Sequence, residues 1–274
     1  MKNRLVNRLV SVMAALAVTS VCSISGWASE VQTMDTDIVN PVIEGISAEE
    51  LYAAMMYNAE VEFFNRAVFL GDSVMVGLGN YTKSHPTSVL SNTNFLTATS
   101  FSAWHAIRGI EKDKFQPKYN GVKMSVWDSI AQMDVDRVFM MFGTNDLIMA
   151  DVNKTANNII GVSDKIAAAK PGVEIHIISM TPVYSTTNKN ALNNTNIPML
   201  DEQLKLLCAE RGYHYVDLYS SLVGADGALI PSFCSDKYVH HNMKAYSVWD
   251  KVLATHAATC LGDGSSVLRS VPLS

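Results

Sequence analysis

Five short apolar runs, each set off from the next by turn residues and by stretches of helical periodicity, dictate the fold class. They are Ala67–Leu70, Phe95–Ala98, Arg137–Phe142, Glu174–Ser179 and Tyr213–Leu218. Several are too continuously apolar for a strand wetted on one face, so they suit strands buried on both faces of a parallel sheet. Helical patterns cover 125–133, about 152–169 up to the stop at Pro171-Gly172, about 197–211 up to Gly212, and about 243–259. Ahead of the first run, Ser47-Ala-Glu-Glu50 reads as a capping box that opens an amphipathic helix to about Asn65. Strand and helix in alternation predict an α/β protein, a three-layer α/β/α sandwich around a five-stranded parallel sheet with right-handed crossovers. The domain is expected over 65–262, after a linker and N-terminal helix over 29–64 and before a Gly/Ser-rich flexible tail over 263–274.

The first 28 residues read as a signal peptide. Lys2, Arg4 and Arg8 precede an apolar run, Leu9–Val21, too short to span a bilayer with ease, and Gly26-Trp27-Ala28 offers small residues for cleavage after Ala28. An uncleaved anchor is the other reading. Cleavage takes away three basic residues and no acidic ones, leaving 18 basic against 26 acidic, a net −8. Such a chain repels nucleic acid and anionic lipid surfaces, so neither is expected as a partner. An extracytoplasmic location follows as an expectation, with no stable membrane insertion once the leader is gone. Hydrophobic residues make up 48% and charged residues 17%, which excludes a disordered chain.

Export makes a disulfide feasible, and Cys234 with Cys260 is a candidate pair, although the odd count of Cys208, Cys234 and Cys260 leaves one thiol over. No metal-ligand spacing is expected: the cysteines stand alone, and His240 and His241 are adjacent rather than at i, i+4. Neither metal nor cofactor is therefore expected.

In an open parallel sheet the site is built by loops leaving the carboxyl ends of the strands. Those loops deliver Gly71-Asp72-Ser73, Thr99-Ser100-Phe101-Ser102, Gly143-Thr144-Asn145-Asp146, Thr181-Pro-Val-Tyr184, and the long Asp236–Asn242 segment. A serine needs a base to become a nucleophile, an imidazole can take and return its proton, a carboxylate orients the imidazole, and N–H donors receive the oxyanion. These loops contain that set. Asn145 can donate from its side chain, and Ser73, at a helix start, can donate from its backbone. The plain alternatives stand beside this: Gly-Asp-Ser is a common turn, Asn145-Asp146 can cap a helix, and His241 competes with His240 as base or is solvent-facing. His105, His176 and His214 read as core or surface residues, and Trp104 and Tyr184 as either a substrate wall or aromatic packing.

The segment Val68-Phe-Leu-Gly-Asp-Ser73 resembles the first block of the SGNH (GDSL-like) hydrolases. Val138–Asp146 resembles their third block, and Asp236–Asn242 their last. The resemblance covers about 65–262 and implies a flavodoxin-like sandwich and a serine esterase. It implies Ser73 as nucleophile, His240 as base and Asp236 as orienting acid. It also implies an oxyanion hole from Ser73, Asn145 and the second-block loop, with Asp72 and Gly143 in support.

Two positions depart from the family pattern. No glycine follows the second strand, so Ser100 or Ser102 would have to donate in its place without glycine's freedom in φ. Three residues rather than two separate Asp236 from His240, so either the loop bulges or another acceptor, such as a backbone carbonyl, orients the ring. The expected substrate is a short acyl ester, O-acetyl on carbohydrate first. A lipid ester, as for a lysophospholipase, is one alternative, and a non-catalytic glycan-binding module on the same fold is another.

Overall fold

The computed structural model describes residues 47–110 and 115–262. The expected leader, residues 29–46 of the linker and the tail lie outside the described residues. Of two compact units, one contributes 47–59 and 261–262 to the described residues, and the other is Glu60–Cys260.

Helix α1 (Ala48–Asn65) opens with the expected box. The Ser47 N–H donates to Glu50 Oε2 at 2.9 Å and the Glu50 N–H to Ser47 Oγ at 3.1 Å. The chain then runs β1 (Ala67–Gly71), α2 (Ser73–Ser84), β2 (Asn94–Thr97), α3 (Ala103–Arg108), β3 (Lys118–Tyr119), β4 (Val122–Lys123) and α4 (Val126–Ala131). It continues through β5 (Arg137–Met141), α5 (Asp146–Met149), α6 (Val152–Ala169), β6 (Glu174–Ile178), α7 (Asn196–Arg211), β7 (His214–Val216) and α8 (Met243–Leu261). Five strands form one parallel sheet in the order β2-β1-β5-β6-β7, as the apolar runs required. The chain leaves β1 toward β2 and returns on the far side of β1 to lay down β5. The β1/β5 boundary is therefore the switch point where a parallel sheet of this order opens a crevice. Among the described residues, no helix is long and apolar enough to cross a membrane.

Alternation along the strands sends two different sets of side chains to the two faces. One face is aliphatic: Val68, Leu70, Val138, Met140, Ile175 and Ile177 pack with Ile130 of α4, Ile159 and Ile166 of α6 and Leu204 of α7. The other is a single row of rings, set by the register Phe95–Phe69–Phe139–His176–His214. Successive centroids along it lie 5.5, 4.9, 4.4 and 4.4 Å apart. Phe63 and Phe64 from the end of α1 and His256 from α8 pack edge-on or tilted against this row. Burial holds His176 and His256 neutral, with pKa values lowered to about 4.

Two expectations from the sequence need correction here. Cys208, Cys234 and Cys260 are all free thiols, so the Cys234–Cys260 bridge is not made. The cysteines do not all stand alone either. His256 and Cys260 are four apart on α8 and share its sheet-facing side with His176 in reach.

Candidate active site

Each site loop is shaped by a local rule. Asp72 follows β1 and caps α2, its Oδ1 accepting from the Val74 N–H at 2.9 Å. Ser73 is thus the first residue of α2, where the N–H has no intrahelical acceptor and the helix dipole favours negative charge. The helix is locked by α8: the Tyr246 hydroxyl donates to the Val74 carbonyl at 2.8 Å. It approaches so closely that a Cβ on Gly77 would lie 2.0 Å from it. At the end of β5, Gly143 takes φ +135°, and a Cβ there would lie 2.6 Å from Met180 Sδ. Only glycine fits that turn.

The last loop brings Asp236 and His240 to Ser73. His240 Nε2 lies 2.9 Å from Ser73 Oγ, and His240 Nδ1 lies 2.5 Å from Asp236 Oδ2. The extra residue between acid and base is absorbed as a bulge with Lys237 at φ +57°. Asp236 Oδ1 then accepts from the N–H groups of Tyr238, Val239 and His240 at 2.8, 3.1 and 3.2 Å. The carboxylate, not a backbone carbonyl, faces the ring. Burial raises the Asp236 carboxyl, but the His240 ring and the Tyr238 and His240 N–H groups outweigh it. The group sits below the ordinary carboxylate range. The loop is tied to the neighbouring Thr181–Tyr184 turn by the Tyr184 N–H donating to the Tyr238 carbonyl at 2.9 Å. Its far end is tied by Asn242, whose Oδ1 accepts from Lys244 and Ala245 at the start of α8.

His241 is not solvent-facing, contrary to the simple reading of the His-His pair. It is buried against Trp249, whose Nε1–H donates to His241 Nδ1 at 3.1 Å, and burial lowers its pKa to about 3. Neither ring nitrogen points at Ser73 as His240 Nε2 does.

The opposite wall is made by the second and third loops. Ser100 is exposed and takes φ +61°, the left-handed conformation for which glycine is the usual residue. Ser102 is fully buried and its hydroxyl caps α3 by accepting from the His105 N–H, so of the two serines Ser100 is the one on the open side of the loop. The Asn145 Nδ2 donates to Asp72 Oδ2 at 3.0 Å and to the Phe101 carbonyl at 3.1 Å. Asn145 occupies the cap position of α5 without making a cap hydrogen bond.

Asp146, which sequence reasoning left as a possible cap, is the hidden anchor of this wall. It accepts from the Trp104 N–H at 2.9 Å and from the Gly143 N–H at 3.2 Å, joining the second loop to the third. Burial raises Asp146 to about 7, with Asp72 repulsion adding to it. Burial likewise raises Asp72 to about 6 despite the Val74 N–H, the His240 charge and Asn145. Trp104 is half-buried under the Arg108 guanidinium, which lies 4.1 Å over its ring.

The pattern of these loops matches the family model of the GDSL-like lipases and acylhydrolases over residues 69–248. The chain belongs to that family. This GDSL-like acylhydrolase shares its fold with a GDSL-like lipase of Bacteroides thetaiotaomicron at 17% identity and TM-score 0.55, covering 78% of this chain and 98% of that one. It shares it too with a lipase/acylhydrolase of Enterococcus faecalis at 15% identity and TM-score 0.51, covering 71% and 96%. A carbohydrate esterase family 3 protein of Talaromyces cellulolyticus matches at 13% identity and TM-score 0.50, covering 71% and 97%. No curated protein matches the acylhydrolase.

Proposed function

We propose that the acylhydrolase cleaves short acyl esters, O-acetyl first among them, carried on carbohydrate outside the cytoplasm, through an acyl-enzyme on Ser73. The observation that carries the serine chemistry is the continuous line from Ser73 Oγ through His240, 2.9 and 2.5 Å long at its two links, to Asp236. His240 Nε2 takes the Ser73 proton as Oγ attacks the acyl carbon, and Asp236 stabilises the imidazolium. The developing oxyanion is received by the Ser73 and Ser100 N–H groups. Asn145 joins them by trading its Phe101 carbonyl acceptor for the oxyanion, since both of its amide hydrogens are engaged in the resting site. The imidazolium returns its proton to the leaving alkoxide. Water then repeats the sequence with His240 as base, releasing the acid and restoring Ser73.

The short acyl group and polar carrier are supported by the rim. Thr99 and Ser100 on the second loop and Lys237 next to Asp236 are exposed and offer hydroxyls and a charge, beside the partly buried Trp104 and Tyr184. The extracytoplasmic location rests on the leader read over 1–28. The departures that favoured a non-catalytic module have structural answers in Ser100 and Lys237, which keep the left-handed turn and the acid–base contact.

Acetate release from an aryl acetate and from an O-acetylated oligosaccharide tests this, with Ser73→Ala beside the wild type and an octanoyl ester as competitor. Turnover of both acetates, lost in Ser73→Ala, is expected. A strong preference for octanoyl moves the assignment to lipid esters, and glycan binding without turnover moves it to a binding module. Equal turnover in both proteins would falsify Ser73 as nucleophile.

A further inference from the structure

Away from Ser73, the row of rings on the sheet ends in a cluster that the ester chemistry does not use. His176 Nδ1 lies 2.9 Å from His256 Nε2, and Cys260 Sγ lies 3.5 Å from the same Nε2. The three ligand atoms all fall within 4.8 Å of one another. His256 and Cys260, at i and i+4, project from one side of α8 onto the strand that carries His176. Zinc holds nitrogen at about 2.0–2.1 Å and sulfur at about 2.3 Å in a tetrahedron, which places nitrogen and sulfur about 3.5 Å apart and two nitrogens about 3.3 Å apart. The Nε2–Sγ separation already has that value. The two nitrogens need to part by only a few tenths of an ångström.

A second observation concerns the other nitrogen of His176. It is buried, has no hydrogen-bond partner, and faces Glu174 Oε2 at 3.5 Å. Where His176 Nδ1 donates to His256, Nε2 turns a lone pair toward the carboxylate; where His256 Nε2 donates instead, His176 Nε2 holds its proton toward Glu174 and Nδ1 is the nitrogen with a lone pair on the cluster side. With Nδ1 bound to a cation, Nε2 carries the proton and points it at Glu174, the carboxylate–histidine–metal arrangement that fixes the ring tautomer. A second possible set, Glu174, His176 and His214, is weaker because Glu174 already has the Arg137 guanidinium 2.9 Å away.

We infer that His176 Nδ1, His256 Nε2 and Cys260 Sγ form a site for a divalent transition-metal ion of the zinc type, with Glu174 supporting His176 and water completing the tetrahedron on the exposed Cys260 side. Binding releases the Cys260 thiol proton to solvent and replaces the S–H with a metal–thiolate bond. The site's role is structural. Asn242 precedes α8 two residues after His240, and Cys260 lies about 27 Å further along the helix at 1.5 Å per residue. The ion pins the distal end of the helix whose start holds the base loop.

Cobalt(II) titration of the full chain without a histidine tag tests the site through the thiolate-to-metal charge-transfer band. One cobalt per chain, displaced by one zinc, is expected. Cys260→Ser, at an exposed position that leaves the core untouched, abolishes the band, whereas Cys234→Ser and His240→Ala keep it. His256→Gln lowers zinc affinity by at least about 100-fold and Glu174→Gln by about 10-fold, the scale seen for ligand and supporting residues. Absence of the band in the wild type, or its survival in Cys260→Ser, overturns the site.

Discussion

The loop that carries Asp236 and His240 is exposed and stitched by its own backbone, whereas the turns that carry Asp72 and Asp146 are sealed inside the protein. On the first wall the side chains of His240 and Asp236 remain 42% and 33% accessible, and the Asp236 carboxyl is held below its ordinary range. On the second wall both carboxyls are raised by burial, to about 6 and about 7. The difference is one of task. In the proposed reaction the charge on the first wall stays available for proton transfer, whereas the carboxyl groups on the second wall serve mainly as acceptors that fix N–H groups and an amide. Substitutions on the two walls should therefore separate chemistry from stability.

The largest expected effect is on the exposed wall. Asp236→Asn should lower kcat by about 10³–10⁴-fold through the wrong histidine tautomer. Stability should stay within about 1 kcal/mol, since the asparagine oxygen still accepts the loop's N–H groups. Steady-state rates beside urea midpoints check this, and a large stability loss with little kinetic change would erase the contrast. Asp146→Ala should do the reverse. It orphans the buried N–H groups of Trp104 and Gly143, at about 1–3 kcal/mol each, so unfolding should shift by about 3 kcal/mol. A variant within 1 kcal/mol of wild type by the same midpoints would mean that water replaces the anchor.

The third test uses pH. Asp72 is raised from 3.8 to about 6 on folding, so the folded state holds its proton more tightly. Its contribution to stability is complete below 3.8 and is lost as pH rises through about 6. Asp72→Asn does not titrate, so its stability deficit against wild type should shrink by about 2–3 kcal/mol between those limits. Midpoints measured across the range decide it: a constant gap would show that folding leaves the Asp72 pKa where it was, and a gap that widens as pH rises would show that the folded carboxyl is ionised throughout. The smallest effect is expected at Ser100, where glycine relieves a left-handed serine. Ser100→Gly should raise stability by about 0.5–1 kcal/mol after its greater chain entropy is allowed for, read as a higher Tm. A lower Tm would mean that the serine side chain contributes contacts worth more than the strain.

Much of this architecture could be read before any coordinates. Helix α6 runs over Val152–Ala169 as its periodicity and the Pro171-Gly172 stop required, and the five strands fall within a residue or two of the apolar runs. Local chemistry sets those boundaries, which is why they were legible. The short hairpin was not anticipated, although Asn120-Gly121 carries its signal. Both residues take positive φ, at 50° and 79°, as a two-residue hairpin turn demands. What sequence patterns could not show was burial across the chain. His241 and His240 are adjacent in sequence, yet Trp249 covers one and Ser73 faces the other. Asp146 reads as a cap until Trp104, 42 residues away, is seen to donate to it. The His256–Cys260 spacing was present in the letters but gains meaning only when β6 places His176 beneath it.

The bulge at Lys237 has a consequence for how such a site can be rebuilt. Because Asp236 caps its own turn and meets the ring four residues later, acid and base form a self-contained cassette of five residues, Asp236 to His240. Their mutual alignment is made within the cassette, which is docked on the rest of the domain through the buried Val239 and the Tyr238 carbonyl. A change elsewhere in the loop that keeps the Tyr238 and Val239 anchors therefore leaves acid and base aligned with each other.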